Sequence, residues 1–482
     1  MWTFSRAKKQ ESAVLLFILL FVLCSLSSGK YSGGTGEPND PYIIATPNDL
    51  CDIGNHIEDY NKNFIMVNDI NMAGFYDTHP VFMISGNFIG VFDGNGHSIS
   101  NIRGTEGLFE TLGSEPGVLK NLALIDVNMT GDQPGGLVKA NFGVISNCSV
   151  TGKVTGGYCV GGLAGWSIGV VEDSFANCIV NGDGTVGGLV GANKGDVSRC
   201  STSGTVSGTS GVGGLTGDNH PDCTISDSNS TCSVSGGGFT GGLTGYNMGI
   251  ILNCHTTGSI IDGAHETGGL VGMNSGLIQD CWSSGGLIQT YGSFNKYAGG
   301  LVGYNPAGGR IIASFSNNQV SGHSGIGGLV GGNDYSAVED CYSFGSVDAN
   351  ENAGGLIGSV FDSSISRSYS CASVSQGQFT GMFIGYSMRN NVLNCFWDTA
   401  INPDMNGIGN ISDPNLIGLP TAQLQMRSTF TDAGWDMINV WDIGENQTYP
   451  FLRKHLPGDI NKDGETNFYD FAILAEHWLS QE

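Results

Sequence analysis

Between residues 135 and 395, apolar residues come in bursts of one or two, each bounded by Gly, Asn or Ser. No stretch there keeps a 3.6-residue period, so helix is not expected. The segment Gly187 to Cys200 reads G-G-L-V-G-A-N-K-G-D-V-S-R-C, and its Gly-Gly-Leu-apolar-Gly block returns along the chain. Its leading glycine is Gly135, Gly161, Gly187, Gly213, Gly241, Gly268, Gly299, Gly327 and Gly354, with a degenerate copy at Gly381. Successive copies lie 26 to 31 residues apart. A fixed period of that size marks a repeat array in which each unit buries its apolar edge against its neighbours. Three bursts per repeat predict three short strands and three corners. The expected fold is therefore all-β, a right-handed parallel β-helix of about eleven coils with strands ~4.8 Å apart between coils.

The repeats align into columns. Leu137, Leu163, Leu189, Leu215, Leu243, Leu270, Leu301, Leu329 and Leu356 should fill the core. Asn141, Asn193, Asn219, Asn247, Asn274, Asn305 and Asn333, six places after the glycine, should form a corner ladder bonded from coil to coil. A solenoid needs closed ends. Asp49 to Tyr60 reads as a capping helix, and residues 398–457, with a helix over Thr421–Arg427, read as a lid on the other end. The predicted organisation is a signal peptide (1–29), an N-terminal cap (30–84), the β-helix (85–397), the lid (398–457) and a loop–helix module (458–482).

Three further columns carry chemistry. Cys148, Cys200, Cys254, Cys281, Cys341 and Cys395 share one, and Ser174, Ser228, Ser314 and Ser368 fill it in other coils. No C-x-x-C pair suggests zinc. In-register Cβ atoms near ~4.8 Å are too far apart for easy disulfides, so buried thiols are expected. The residue before each column member is mostly Asp or Asn, interrupted by Arg199, Ala313 and Arg367. This reads as a solvated ladder whose arginines relieve carboxylate repulsion. One place after the column stand Trp282, Phe315, Tyr342, Tyr369 and Phe396. Directed inward they would be an aromatic core. Directed outward they would be a platform for an extended glycan, beside Tyr291, Phe294 and Tyr297 of the longest coil.

The first residues give Arg6, Lys8 and Lys9, then an apolar run from Ala13 to Leu26, then Ser27-Ser28-Gly29. That is a signal-peptide pattern, too short for a comfortable span, and nothing later could cross a bilayer. The expected location is outside the cell or on its surface. The whole chain carries a formal charge of −25, which argues against nucleic acid and anionic membrane as partners.

At the C-terminal end, Asp459, Asn461, Asp463, Glu465, Asn467 and Asp470 alternate around Gly464. Oxygen ligands at every second place, a glycine turn and a closing carboxylate fit Ca²⁺, with Glu465 offering its backbone carbonyl. The repeat with its following I-x-x-C block resembles the GLUG-motif family of bacterial surface and secreted proteins. That resemblance implies the fold and export but transfers no catalytic residue. The calcium loop is similar to one dockerin type I repeat, which implies docking to a cohesin-like partner. A dockerin normally carries two such loops, whereas this segment holds one.

Three functions remain open at this point, one of them a purely structural envelope protein. The first is a non-catalytic binding or adhesion protein presenting a β-helical surface to polysaccharide. The second is a polysaccharide lyase or glycoside hydrolase, by fold-level analogy. Gly165-Trp166-Ser167-Ile168-Gly169 spells G-x-S-x-G, but it lies inside a repeat block without the helix a nucleophile elbow needs. No catalytic residue is assigned.

Overall fold

The computed structural model describes residues 30–75, 84–115, 117–291 and 297–453. It is a right-handed parallel β-solenoid of about twelve turns. One face is a twelve-stranded sheet running from Ile84–Phe88 to Ile384–Met388, and every neighbouring pair in it is parallel. The other faces merge through the corners into a larger sheet. Parallel pairing starts earlier than the glycine blocks, since Tyr42–Ile44 pairs with Asn63–Met66, and that strand with Val91–Asp93. It also ends later, where Cys395–Asp398 pairs with Leu416–Leu419. These flanking turns lack the block but keep the inward apolar positions: Ile44, Phe64, Met66 and Phe92 are buried. That is why counting blocks gave about eleven coils.

The core follows the columns. All nine leucines of the ladder are fully buried, each worth ~1.5–3 kcal/mol of burial. The block glycines answer to a different constraint, close approach of backbones. A Cβ at Gly187 would lie 2.0 Å from the Val190 carbonyl oxygen, and one at Gly188 would lie 2.0 Å from that of Gly214 in the next coil. In the last block Met382 takes the second glycine's place, where the turn that follows it is no longer a glycine block.

The asparagine ladder is buried and runs unbroken from Asn193 to Asn333, while Asn141 donates instead to Ser167 (2.9 Å). Asn193 donates to Asn219 (2.9 Å), Asn219 to Asn247 (2.8 Å), Asn247 to Asn274 (2.7 Å), Asn274 to Asn305 (2.9 Å) and Asn305 to Asn333 (2.8 Å). It stops at Asn333, whose Nδ2 has no partner because Val360 stands in register above it.

The cysteine column is a ladder of free thiols. Each sulfur donates to the carbonyl two residues back, as Cys200 does to Ser198 (3.2 Å), and the serines repeat that bond, as Ser228 does to Ser226 (2.7 Å). The same atom accepts the preceding coil's backbone N–H: Ser228 Oγ takes Cys200 N, and Cys281 Sγ takes Cys254 N. A small side chain with one donor and one acceptor suffices, which explains why Cys and Ser interchange. Burial pushes the Cys148, Cys178, Cys200 and Cys395 thiols up to about 12, so they are poor nucleophiles.

The column before the cysteines is more than a solvated ladder. Asn147, Asp173, Arg199, Asp227, Asn253, Asp280, Ala313, Asp340, Arg367 and Asn394 all hold left-handed backbone, φ 45 to 55°. Asn and Asp dominate because they adopt that conformation at least cost. The arginines do bridge carboxylates: Arg199 reaches Asp173 and Glu172 at 2.7 Å, and Arg367 reaches Asp340 at 2.9 Å. Ala313 has neither compensation. Ala313→Gly is expected to stabilise the fold by about 1 kcal/mol, read as a higher urea midpoint with unchanged slope.

Candidate functional site

Left-handed backbone in front of each cysteine column residue turns that residue inward and the next one outward. The aromatic column therefore leaves the core, and its rings stack on one another along the solenoid. Trp282 and Phe315 lie 5.8 Å apart at 7°, Phe315 and Tyr342 4.7 Å at 3°, Tyr342 and Tyr369 5.2 Å at 12°. His255 extends the stack, 4.4 Å from Trp282 at 7°. Ring faces are spent on each other, so what reaches the surface is ring edge.

The stack is also covered. Residues 420–453, within the segment expected as a lid, pack on the flank of the solenoid where Tyr342, Tyr369 and Phe396 emerge. Leu424, Phe430, Trp435, Met437, Trp441 and Leu452 form with Tyr342, Tyr369 and Phe396 a second core. Polar anchors fix it: Tyr369 donates to the Pro450 carbonyl (2.6 Å), Trp435 to that of Asn394 (3.0 Å), and Trp441 to Asp340 (3.0 Å). Tyr342, Tyr369 and Phe396 are thus withdrawn from any glycan platform, while Trp282 and Phe315 stay half-buried.

The long coil sends its aromatics elsewhere. Tyr291 is exposed, whereas Tyr297 stacks on Tyr304 (5.0 Å, 11°) over the twelve-stranded sheet. Tyr304 donates to Asp334 (3.0 Å), and burial followed by that carboxylate raises its phenol. Phe294, the signal segment and the calcium loop with Asp459, Asn461, Asp463, Glu465, Asn467 and Asp470 lie outside the described residues.

This outer face holds a set the column analysis passed over. The residue five places after the leading glycine points away from the core and is Trp166, Tyr246, Tyr304 or Tyr386 in four coils. Each meets a second ring from a neighbouring corner: Phe142 on Trp166 (5.0 Å), Phe239 on Tyr246 (5.5 Å), Tyr297 on Tyr304, Phe379 on Tyr386 (5.6 Å). The signal was present as the variable residue between Gly and Asn in the block. Asp218 occupies the same column, in register with Ala192 and Tyr246. Burial pushes its carboxyl up to about 6, against a Thr185 hydrogen bond and the Lys194 charge.

Among the described residues, His56, Glu58 and Asp59 bring metal-ligand atoms together. Lys30 already pairs with Glu58 (2.8 Å) and Asp59 (2.7 Å), so an ammonium serves those carboxylates. No described helix is long and apolar enough to cross a membrane.

Residues 322–348 match the GLUG motif. Two curated proteins are similar over part of the chain. A candidate Gly-rich membrane protein of Evansella cellulosilytica is 30% identical over 154 residues, 28% of this chain and 18% of that protein. Halomucin of Haloquadratum walsbyi is 32% identical over 141 residues, 26% of this chain and 2% of that protein. The chain thus spans less than a fifth of the length of these relatives. Among solved structures, a candidate immunoglobulin A1 protease from Bacteroides ovatus covers 89% of this chain and 96% of its own, at 16% identity and a TM-score of 0.27.

Proposed function

We propose that this is an exported, non-catalytic binding or adhesion protein that engages polysaccharide through the outer face of its twelve-stranded sheet. Paired rings recurring along that face carry the reading: Phe142–Trp166, Phe239–Tyr246, Tyr297–Tyr304 and Phe379–Tyr386. Aromatic surface set along a rigid axis, with polar neighbours such as Asp334, suits an extended chain of sugar rings. The similarity to halomucin and to a Gly-rich membrane protein supports a cell-surface setting. Residues 458–482 would add a calcium-dependent docking module for a cohesin-like partner.

Affinity electrophoresis through gels of soluble polysaccharides tests the reading. Retardation of the wild-type protein, reduced at least tenfold in affinity by Tyr246→Ala with Tyr304→Ala, is the expected result. Release of shortened or unsaturated sugar products would replace it with the lyase or hydrolase alternative. Calorimetry should show one Ca²⁺ per chain, lost on Asp459→Ala with Asp463→Ala.

A further inference from the structure

The corner between the twelve-stranded sheet and the next face is short in most coils. Asn274-Ser275-Gly276 leads directly into the strand Leu277–Gln279, and Asn141, Asn193 and Asn247 begin the same three-residue turn. Towards the C-terminal end the corner lengthens. Asn305 is followed by four residues before Arg310–Ile312, and Asn333 by three before Ala337–Glu339. Over these coils the surface hollows into an open concavity of 630 Å³, lined by Arg310, Tyr335, Ser336, Asp362, Arg389 and Asn391 among others.

Three independent features mark this hollow as built for a ligand. Tyr335, Asp362 and Arg389 occupy one corner position in successive coils, all with left-handed backbone, φ 52, 46 and 55°. The three-residue corners that begin at Asn141, Asn193, Asn247 and Asn274 hold no left-handed residue. A bulky side chain held in that conformation is strained, and such strain collects at binding sites. The side chains are also arranged. Arg389 pairs with Asp362 at 2.7 Å and lies 4.4 Å over the Phe361 ring, and Tyr335 meets that ring edge-on at 5.1 Å. This holds Tyr335 upright with more than half of its surface exposed. Finally, Arg310 at the rim is exposed and carries no ion pair among the described residues.

We propose that this corner hollow binds a pyranose unit bearing an anionic group, carboxylate or sulfate, within an acidic polysaccharide. The sugar ring packs on Tyr335. The Arg310 guanidinium receives the anion as a two-pronged donor. The Asp362–Arg389 pair sets the hollow's width and keeps Arg389 from competing for the anion. This inference rests on the polysaccharide-binding reading and adds the class of sugar.

The test is calorimetric titration of the full chain with an oligogalacturonate, a sulfated oligosaccharide and a neutral cello-oligosaccharide of equal length. Preference for an acidic oligomer by at least tenfold is expected, the carboxylate and sulfate arms deciding which anion fits, and this preference should weaken as salt rises. Arg310→Gln should remove the preference and leave neutral binding unchanged. Tyr335→Asn separates a binding role from a structural one. It relieves the left-handed strain, so the unfolding midpoint should rise while acidic affinity falls tenfold or more. Equal affinity for acidic and neutral oligomers overturns the proposal, as does wild-type binding in both variants. If the neutral oligomer alone binds, and Tyr246→Ala with Tyr304→Ala abolishes it, the wider reading stands and this inference falls. If no oligomer binds, both fall.

Discussion

Gly268→Ala is expected to cost at least ~4 kcal/mol and to leave little soluble folded protein. An added Cβ would sit 1.9 Å from the Val271 carbonyl oxygen, 2.7 Å from the Gly303 nitrogen and 2.8 Å from the Leu301 carbonyl oxygen. All three are backbone atoms, two of them in the following coil, so relief requires prising two coils apart. That movement would also break the backbone bonds from Leu270 to Leu301 and from Gly269 to Gly299. Stability in a solenoid passes from neighbour to neighbour, so one forced gap divides the array. Gly258→Ala is the control. Gly258 has a left-handed φ of 61°, yet an added Cβ there meets nothing within 4 Å. It should lose only about 1 kcal/mol, the cost of the backbone conformation. Urea denaturation followed by circular dichroism compares the two. Similar midpoints would show that close approach is not what the block glycines serve.

The solenoid was legible because its rules repeat. A leucine ladder, a thiol column and an asparagine ladder each offer several aligned instances, and each instance meets the same environment one coil on. The early helix expected from Asp49 to Tyr60 is present but runs Pro47–Asn55, with a 3-10 turn over Ile57–Asp59. It is opened by a capping box at Thr46 and Asp49 that the apolar pattern did not reveal. What stayed hidden depends on contacts that do not repeat. The side on which Trp282, Phe315 and Tyr342 emerge turns on a left-handed residue before the cysteine column. The Asn and Asp preference there was visible, but its backbone meaning was not drawn. That the later rings are covered depends on residues 420–453 crossing back along the flank, a non-local packing event with no periodic trace. The corner hollow is legible in retrospect as a count: three residues separate Asn333 from Ala337, where two separate Asn274 from Leu277.

The flank segment makes the second large prediction. Trp441→Ala should remove about 3–5 kcal/mol from the docking of residues 420–453 while sparing the coils. Trp441 is fully buried and touches Tyr342 (5.9 Å), Tyr369 (6.1 Å) and Trp435 (4.7 Å). Its indole N–H donates to Asp340, which also carries Arg367. Losing the ring leaves a cavity at the centre of the second core and removes one partner from a buried carboxylate. The remaining anchors, Tyr369 to Pro450 and Trp435 to Asn394, hold the edges of the segment and do not fill that centre. Buried leucines, valines and isoleucines of the solenoid belong to a separate cluster, so the β-sheet signal in far-ultraviolet circular dichroism should persist. Limited proteolysis should cut within 420–453, and an apolar dye should bind where Tyr342, Tyr369 and Phe396 become exposed. Calcium uptake by the proposed loop should be unchanged, because that loop begins at Asp459, beyond the segment that detaches. A variant that resists cleavage and excludes the dye would place the anchoring energy in the hydrogen bonds at the edges. Loss of the far-ultraviolet signal together with the cleavage would instead make the flank segment part of one cooperative unit with the coils.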